Sequence, residues 1–287
     1  MKALFFKELK SYFTSLTGWL YAAFLLIFIG IYTMAYNLAY GYAQFEYVLD
    51  AMSFVFMVAC PILTMRVFSE ERRSKTDQLL YSLPMSMTQI VVAKFAALAA
   101  VMALPMLITC GYPILLSQFG TVSFRTAYAA IIEFYLMGLA LASIGMFVSS
   151  ITENQVASAV ITLVIMLVLF FMSSLASYVS TDASSSLTAF IVLSVIIAAV
   201  VYVFSKNMTV SLITLIVLAG GLFIFDAISP SSFENLFPTF MEQLSIFDRF
   251  TPITEGVFDI KAIVYFLSVS AVFVFVTVQS LEKRRWN

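Results

Sequence analysis

The residue types that carry most enzyme chemistry are scarce in this sequence. It contains no histidine, so the commonest general base and the commonest metal ligand are both missing. Cys60 and Cys110 lie inside apolar runs, where the expected role is that of two small buried side chains. There is no phosphate-binding loop, zinc-protease motif, CxxC pair or nucleophile elbow. We therefore predict no catalytic and no metal-binding residues, and no basic patch with interleaved aromatics predicts nucleic-acid binding.

Acidic side chains inside apolar stretches are the second kind of candidate. A charged group at the centre of a membrane helix costs about 2.5 to 3.5 kcal/mol, so each should face protein or water. Asp50 lies close to the end of its stretch, and a side chain that reaches the outer interface is the favoured interpretation. Glu133 lies deeper, and it either lines a translocation path or pairs with a neighbouring helix. In the same stretch, Gly138 and Ala142 have the small-residue spacing of close helix packing.

The most charged stretch of the chain, residues 66–86, is the third candidate. It combines acidic and basic residues with three leucines, and Pro84 ends it. This pattern predicts a short helix with an apolar edge, held outside the membrane between two spans. It is either a docking element for a partner or a solvated connector. The candidate contact residues are Glu70, Glu71, Arg72, Arg73, Thr76, Leu79, Leu80 and Leu83.

The elements that must position these residues are membrane spans. The 287 residues are 62% hydrophobic and 11% charged, whereas a soluble domain carries about 25% charged residues. A helix needs about 20 apolar residues to cross a bilayer, and eight stretches come close. We predict an all-α fold, a polytopic transmembrane helical bundle of six to eight spans in a single domain over residues 1–287. The stretches are Trp19–Tyr40, Tyr47–Met65, Ile90–Leu116, Ala127–Ser149, Val156–Tyr178, Leu187–Phe204, Met208–Ile228 and Ile260–Leu281.

The count depends on the sixth and seventh stretches, which could instead form a re-entrant hairpin with its tip at residues 205–207. Orientation follows from the basic residues, which are retained on the cytoplasmic side. With the N-terminus inside, only Arg125, Arg249 and Lys261 of the 15 lysines and arginines fall outside. An even number of spans then places both termini in the cytoplasm, and we predict a multi-pass protein of the plasma membrane.

Two segments outside the spans have amphipathic patterns. Residues 1–15 divide into an apolar and a polar helical arc, which predicts an interfacial helix. The apolar arc holds Phe5, Phe6, Leu9, Tyr12 and Phe13, and the polar arc holds Lys7, Lys10, Ser11 and Thr14. The alternative is a simple extension of the first span. Residues 229–259 form the longest external connection and carry apolar residues at helical spacing. They predict a short helix that lies on the outer leaflet, or a cover over a pore.

Three patches of sequence resemble a known family. Phe68–Phe95 resembles the signature region of ABC-2 type permeases: an acidic and basic loop, a T…LL…P run, and a lysine that opens the next span, here Lys94. Ser149–Val160 resembles the entry of that family into its fifth span, and Thr254–Asn287 is similar to the C-terminal end of its gliding-motility-type members. The usual count in the family is six spans, with a re-entrant external hairpin before the last.

The resemblance implies an arrangement that composition alone does not indicate. Two permease subunits, identical or different, pair within the lipid bilayer, and two separate cytoplasmic ABC ATPase subunits bind them. The loop over residues 66–86 is then the coupling helix, and the direction of transport is export. ATP and Mg²⁺ are bound by the ATPase, so the permease is non-catalytic and holds no cofactor of its own.

Two other classes of protein fit the same hydropathy. A self-sufficient secondary transporter or channel needs buried ionisable groups for ion coupling or selectivity, and only Asp50 and Glu133 are candidates. A membrane scaffold would share the charged loop but have no path for cargo. The sequence leaves the substrate of a transporter open.

Overall fold

The structure is a computed structural model, and it describes residues 1–76, 85–228 and 230–285. Within these ranges all regular structure is helical, which confirms the all-α prediction. Eight helical stretches in the described chain are long and apolar enough to cross a membrane. They are Leu16–Ala39, Glu46–Arg73, Met87–Leu116, Phe124–Ile151, Gln155–Ala176, Ala183–Tyr202, Met208–Ile228 and Ile260–Arg284.

Several of these stretches consist of more than one helix. The first ends in a π-helical segment over Thr33–Ala39, and the second contains a 3₁₀ turn at Ser53–Val55. The α-helices are α1 (Lys2–Thr14), α2 (Leu16–Tyr32), α3 (Glu46–Ala51), α4 (Phe56–Thr64), α5 (Ser69–Arg73), α6 (Met87–Thr109), α7 (Gly111–Leu116), α8 (Phe124–Ile151), α9 (Gln155–Ala176), α10 (Ala183–Ser205), α11 (Met208–Ile228), α12 (Leu236–Leu244) and α13 (Ile260–Arg285).

The chain divides into two compact units, of which the first comprises residues 1–170 and 246–287. Helix α8 is its centre and packs against α13, α4 and α6. Close approach depends on two glycines. A Cβ atom at Gly138 would lie 2.8 Å from both Met102 and Phe56, and one at Gly145 would lie 2.9 Å from Cβ of Thr64. The small-residue spacing at Gly138 therefore serves packing, as predicted.

The start of the first unit turns sharply from α1 into α2. Ser15 is extended between the two helices. A Cβ atom at Gly18 would lie 2.8 Å from the carbonyl oxygen of Tyr12, and the indole N–H of Trp19 donates to the carbonyl oxygen of Phe13 at 2.9 Å. Helix α1 is thus fixed against the first turn of the first span, and it is a separate helix rather than an extension of that span.

The second unit comprises residues 171–245. Its helices α10 and α11 pack together, and Ser211 of α11 donates to the carbonyl oxygen of Ala198 at 2.7 Å. The connection turns at Lys206, whose φ of 49° is left-handed. The helices have 23 and 21 residues, and each is long enough to cross a bilayer. This favours eight spans over a re-entrant hairpin.

The predicted external segment is divided between the two units. Residues Leu236–Leu244 form the short helix that the spacing predicts, with Phe237 and Phe240 against Phe190. The residues that follow this helix do not lie on the surface, as the prediction of a segment on the outer leaflet required. Ile246, Phe247, Phe250 and Ile253 are buried, and the ring of Phe250 lies 5.7 Å from that of Phe134 in α8. Aromatic burial draws this part into the bundle.

Candidate functional site

A cluster of polar contacts lies where the second span ends, and Lys94 is at its centre. Helix α6 begins with a capping box between Ser86 and Gln89, and Lys94 follows within its second turn. The ammonium group lies 3.0 Å from a carboxylate oxygen of Glu71 and 3.3 Å from one of Glu8, with its side chain only 2% exposed. It also donates to the carbonyl oxygen of Val67 at 2.9 Å. A buried charge needs this full set of partners, so Lys94 joins α1, α5 and α6.

Arg72 forms the second junction, between α5 and the end of α8. Its guanidinium donates to the carbonyl oxygens of Ser150 and Thr152, both at 2.9 Å, and pairs with Glu153 at 2.9 Å. Carbonyl groups at a helix C-terminus lack partners within the helix and carry partial negative charge. A cation that binds them is stabilised. The Arg72 side chain is only 5% exposed, so it faces the bundle.

Ser149 also links α5 and α8, here through a side chain of α8 that contacts the backbone at the start of α5. Its hydroxyl oxygen accepts from the backbone N–H groups of Phe68 and Ser69, at 3.1 and 3.2 Å. The hydroxyl donates to the carbonyl oxygen of Met65 at 3.2 Å. The first N–H groups of α5 have no partner within the helix, and a side chain of α8 supplies one. The end of the second span is therefore held at both its backbone and its side chains.

Arg66 completes the cluster towards α2. Its Nε donates to Glu70 at 2.8 Å and its Nη1 to the hydroxyl of Thr17 at 2.7 Å. Nearby, Tyr12 donates to the carbonyl oxygen of Leu63 at 3.4 Å. Burial, reinforced by the carboxylate of Glu8, raises the pKa of Tyr12 far above its usual value, so the hydroxyl keeps its proton. We call this set the basal cluster: Glu8, Tyr12, Arg66, Glu71, Arg72, Lys94, Ser149 and Glu153.

The basal cluster borders an open cleft of about 210 Å³. Lys7 and Ser11 of α1 line one side, and Ser74 and Thr76 line another. Three cations and three carboxylates border the cleft, so it carries little net charge. This arrangement suits mechanical linkage of helices and the reception of polar groups more than the binding of a strongly charged ligand.

The predicted contact residues fall into two groups in the structure. Glu71 and Arg72 point into the basal cluster. Glu70, Arg73 and Thr76 are at least partly exposed and lie where a partner could reach them. The leucines at the apolar edge, Leu79, Leu80 and Leu83, lie outside the described residues. Their contact role, like that of the whole set, stays a prediction.

The two acids inside the spans lie apart from the basal cluster. Glu133 precedes Ser149 by 16 residues on α8, about 24 Å along a helix axis. It is 1% exposed, and among the described residues neither carboxylate oxygen has a hydrogen-bond partner. Asp50 is half-buried and lies on α3, which packs against Thr251–Glu255 of the inserted external segment.

Sequence reasoning missed the part that Glu8 and Ser149 play. One signal was available: a lysine inside an apolar helix requires a counter-charge, and Glu8 is the one acidic residue in α1. Ser149 offered no such signal, because its role depends on which backbone groups the fold brings beside it. In the described chain, no group of three or more histidines, cysteines or acids is placed to hold a metal ion.

Comparison with known proteins gives one match. A family profile described as "ABC-2 family transporter protein" matches residues 27–229, about seven-tenths of the chain. The match includes α5, α6 and α8, and thus most of the basal cluster, but begins after α1. Searches of curated proteins and of solved structures gave no significant match.

Proposed function

Because this chain belongs to the ABC-2 family of transporter proteins, and is thus a multi-pass membrane permease, we propose that it works as the non-catalytic subunit of an ABC exporter. It pairs with a second permease subunit in the plasma membrane, with both termini in the cytoplasm. Separate ATPase subunits bind ATP and Mg²⁺ and supply the energy. The observation that carries this proposal is the basal cluster, which ties the loop expected to meet the ATPase to four helices.

The contacts of the basal cluster support a specific route for the motion. A displacement of α5 pulls on α6 through Lys94 and on the end of α8 through Arg72 and Ser149. Buried charge-assisted bonds hold their geometry tightly, because breaking one leaves an unpaired charge. Helix α8 has 28 residues and is about 42 Å long, so a shift at its base is carried across the membrane.

Glu133 is the residue on α8 that we propose to line the translocation path. Both of its carboxylate oxygens are without a partner in the described chain, and an unsatisfied carboxylate in a membrane span is costly. Because Glu133 is 1% exposed, the bundle has to rearrange around α8 before a cargo molecule supplies the missing partner. Asp50, the other candidate, is only half-buried.

The test separates binding of the ATPase from coupling to it. We would purify the protein in mild detergent from its native membrane, identify co-purifying proteins by mass spectrometry and measure ATP hydrolysis and transport. The contact variant Leu79→Asp/Leu80→Asp is expected to lose the ATPase. Arg72→Gln is expected to retain the ATPase and to lose at least tenfold in transport, because it removes the charged link to α8 and leaves only the Ser149 contacts.

Arg125→Gln is the control, since it removes one exposed arginine from the opposite end of α8. It should match the wild type in both measurements. Recovery of a stable chain with no ATPase would contradict the proposal and favour a self-sufficient transporter or a scaffold. Normal transport in Arg72→Gln would contradict the coupling route alone.

A further inference from the structure

Helix α1 has an outward face that the basal cluster does not use. Leu4 and Tyr12 are buried, and Glu8 on the same side is only 13% exposed because it pairs with Lys94. Lys2 and Lys10 are exposed on the other side, and Lys7 is exposed at the edge of that side, where it also borders the cleft. The only acidic side chain of the helix is thus turned inward, and the outward face carries three positive charges.

An aromatic residue lies among these lysines. Phe6 is four residues from both Lys2 and Lys10, so the three form one stripe along the helix, and its ring is 62% exposed. A large exposed apolar side chain between cations is unfavourable in water. It is favourable at a membrane surface, where the ring enters the acyl region and the lysine stems extend towards the headgroups.

The connection of α1 to the first span indicates how deep its outward face lies in the bilayer. Only Ser15 separates the two helices, and Gly18 of the first span lies in close contact with Tyr12 of α1. Leu16 and Trp19, at the start of the first span, are exposed, and tryptophan is enriched where headgroups meet hydrocarbon. We therefore expect the outward face of α1 at the headgroup level of the same leaflet.

The lysines of this face are available for an external anion. Lys2 and Lys10 form no ion pair with any described residue, and the contact of Lys7 with Glu8 is long, at 3.8 Å. We propose that the outward face of α1, formed by Lys2, Phe6, Lys7 and Lys10, binds anionic phospholipid headgroups of the adjacent leaflet. Charge complementarity favours this occupant, and the exposed ring of Phe6 favours a bilayer over a polar protein surface.

The proposal goes beyond the transport function, because it assigns a ligand class to a segment outside the family match. It also has a structural consequence. Glu8 connects α1 to Lys94, so a lipid-bound α1 holds one side of the basal cluster in place.

The test uses the purified full chain in detergent and native mass spectrometry with equal amounts of phosphatidylglycerol and phosphatidylcholine. The wild type is expected to retain phosphatidylglycerol preferentially. Each lysine near an anionic surface contributes about 1 kcal/mol, so Lys2→Gln/Lys10→Gln should lower that preference by roughly five- to thirtyfold. The matched control Arg125→Gln/Lys261→Gln removes two exposed charges from the predicted outer side and should keep the preference.

Two further results bear on the proposal. Phe6→Ser should also lower the retention of phosphatidylglycerol in this measurement, although the net charge is unchanged, if the ring inserts beside the lipid. An unchanged lipid preference in Lys2→Gln/Lys10→Gln, or an equal loss in the control, would overturn the proposal. If Lys2→Gln/Lys10→Gln loses a co-purifying ATPase but keeps its lipid preference, the proposal is also overturned, since the face is then a protein contact.

Discussion

A single charge in an apolar helix decides how the base of this bundle is built. Lys94 is buried between two carboxylates, Glu8 and Glu71, that come from segments distant in sequence. Removal of the lysine leaves two acids close together without a cation. A buried pair broken in this way typically costs about 3 to 5 kcal/mol, whereas replacement of all its members by neutral groups is much less harmful.

Lys94→Met is therefore expected to lower the melting temperature of the purified protein in detergent by an amount that corresponds to about 3 to 5 kcal/mol. The triple variant Glu8→Gln/Glu71→Gln/Lys94→Met should recover most of that loss, since no charge is left unpaired. Lys75→Met, at an exposed lysine, is the control and should melt like the wild type. A melting temperature that falls equally in the single and triple variants would show that the charges do not interact.

At the scale of elements, the glycines of α8 set how closely its neighbours approach. Gly138→Ala is expected to destabilise the protein by about 1 to 3 kcal/mol, because the new methyl group lies 2.8 Å from Met102 and Phe56 and the core must shift. Gly220→Ala in α11 meets no atom within 4 Å and should be neutral or slightly stabilising, since alanine favours helices. Thermal unfolding of both variants is the measurement, and equal stability of the two would rule out tight packing at Gly138.

The spans were predictable because hydrophobicity is a local property that a window of 20 residues captures. The face that each helix buries could not be predicted in this way, because burial depends on the neighbours that the fold supplies. The amphipathic pattern of α1 groups Phe6 with Leu9 and Tyr12, yet the structure buries Tyr12 and exposes Phe6. A helical wheel gives the direction of each side chain around the helix axis, but it does not show which neighbouring helices cover it. Arg72 shows the same limit: its charge predicted a contact with a partner, and only the fold reveals the carbonyl groups of α8 beside it.

At the scale of the whole molecule, the number of crossings determines on which side each loop lies. Helices α10 and α11 are each long enough to cross, which would return the connection near Lys206 to the side of the N-terminus. A re-entrant pair would instead leave that connection within the bilayer. The basic residues favour the first arrangement, since Lys206 is then retained with Lys2, Lys7 and Lys10.

Single cysteines labelled with a membrane-impermeant maleimide distinguish the two arrangements. Cys110 would be replaced by alanine, and Cys60 can remain because it is fully buried. With eight crossings, Asn207→Cys and Lys10→Cys should react in inside-out vesicles and not in intact cells, while Glu255→Cys should react only in intact cells. All three positions are exposed, so failure to react reflects location. If Asn207→Cys is protected in both preparations while Lys10→Cys reacts, α10 and α11 form a re-entrant hairpin and the bundle has six crossings, because the parity that keeps both termini on one side is the same for six and eight.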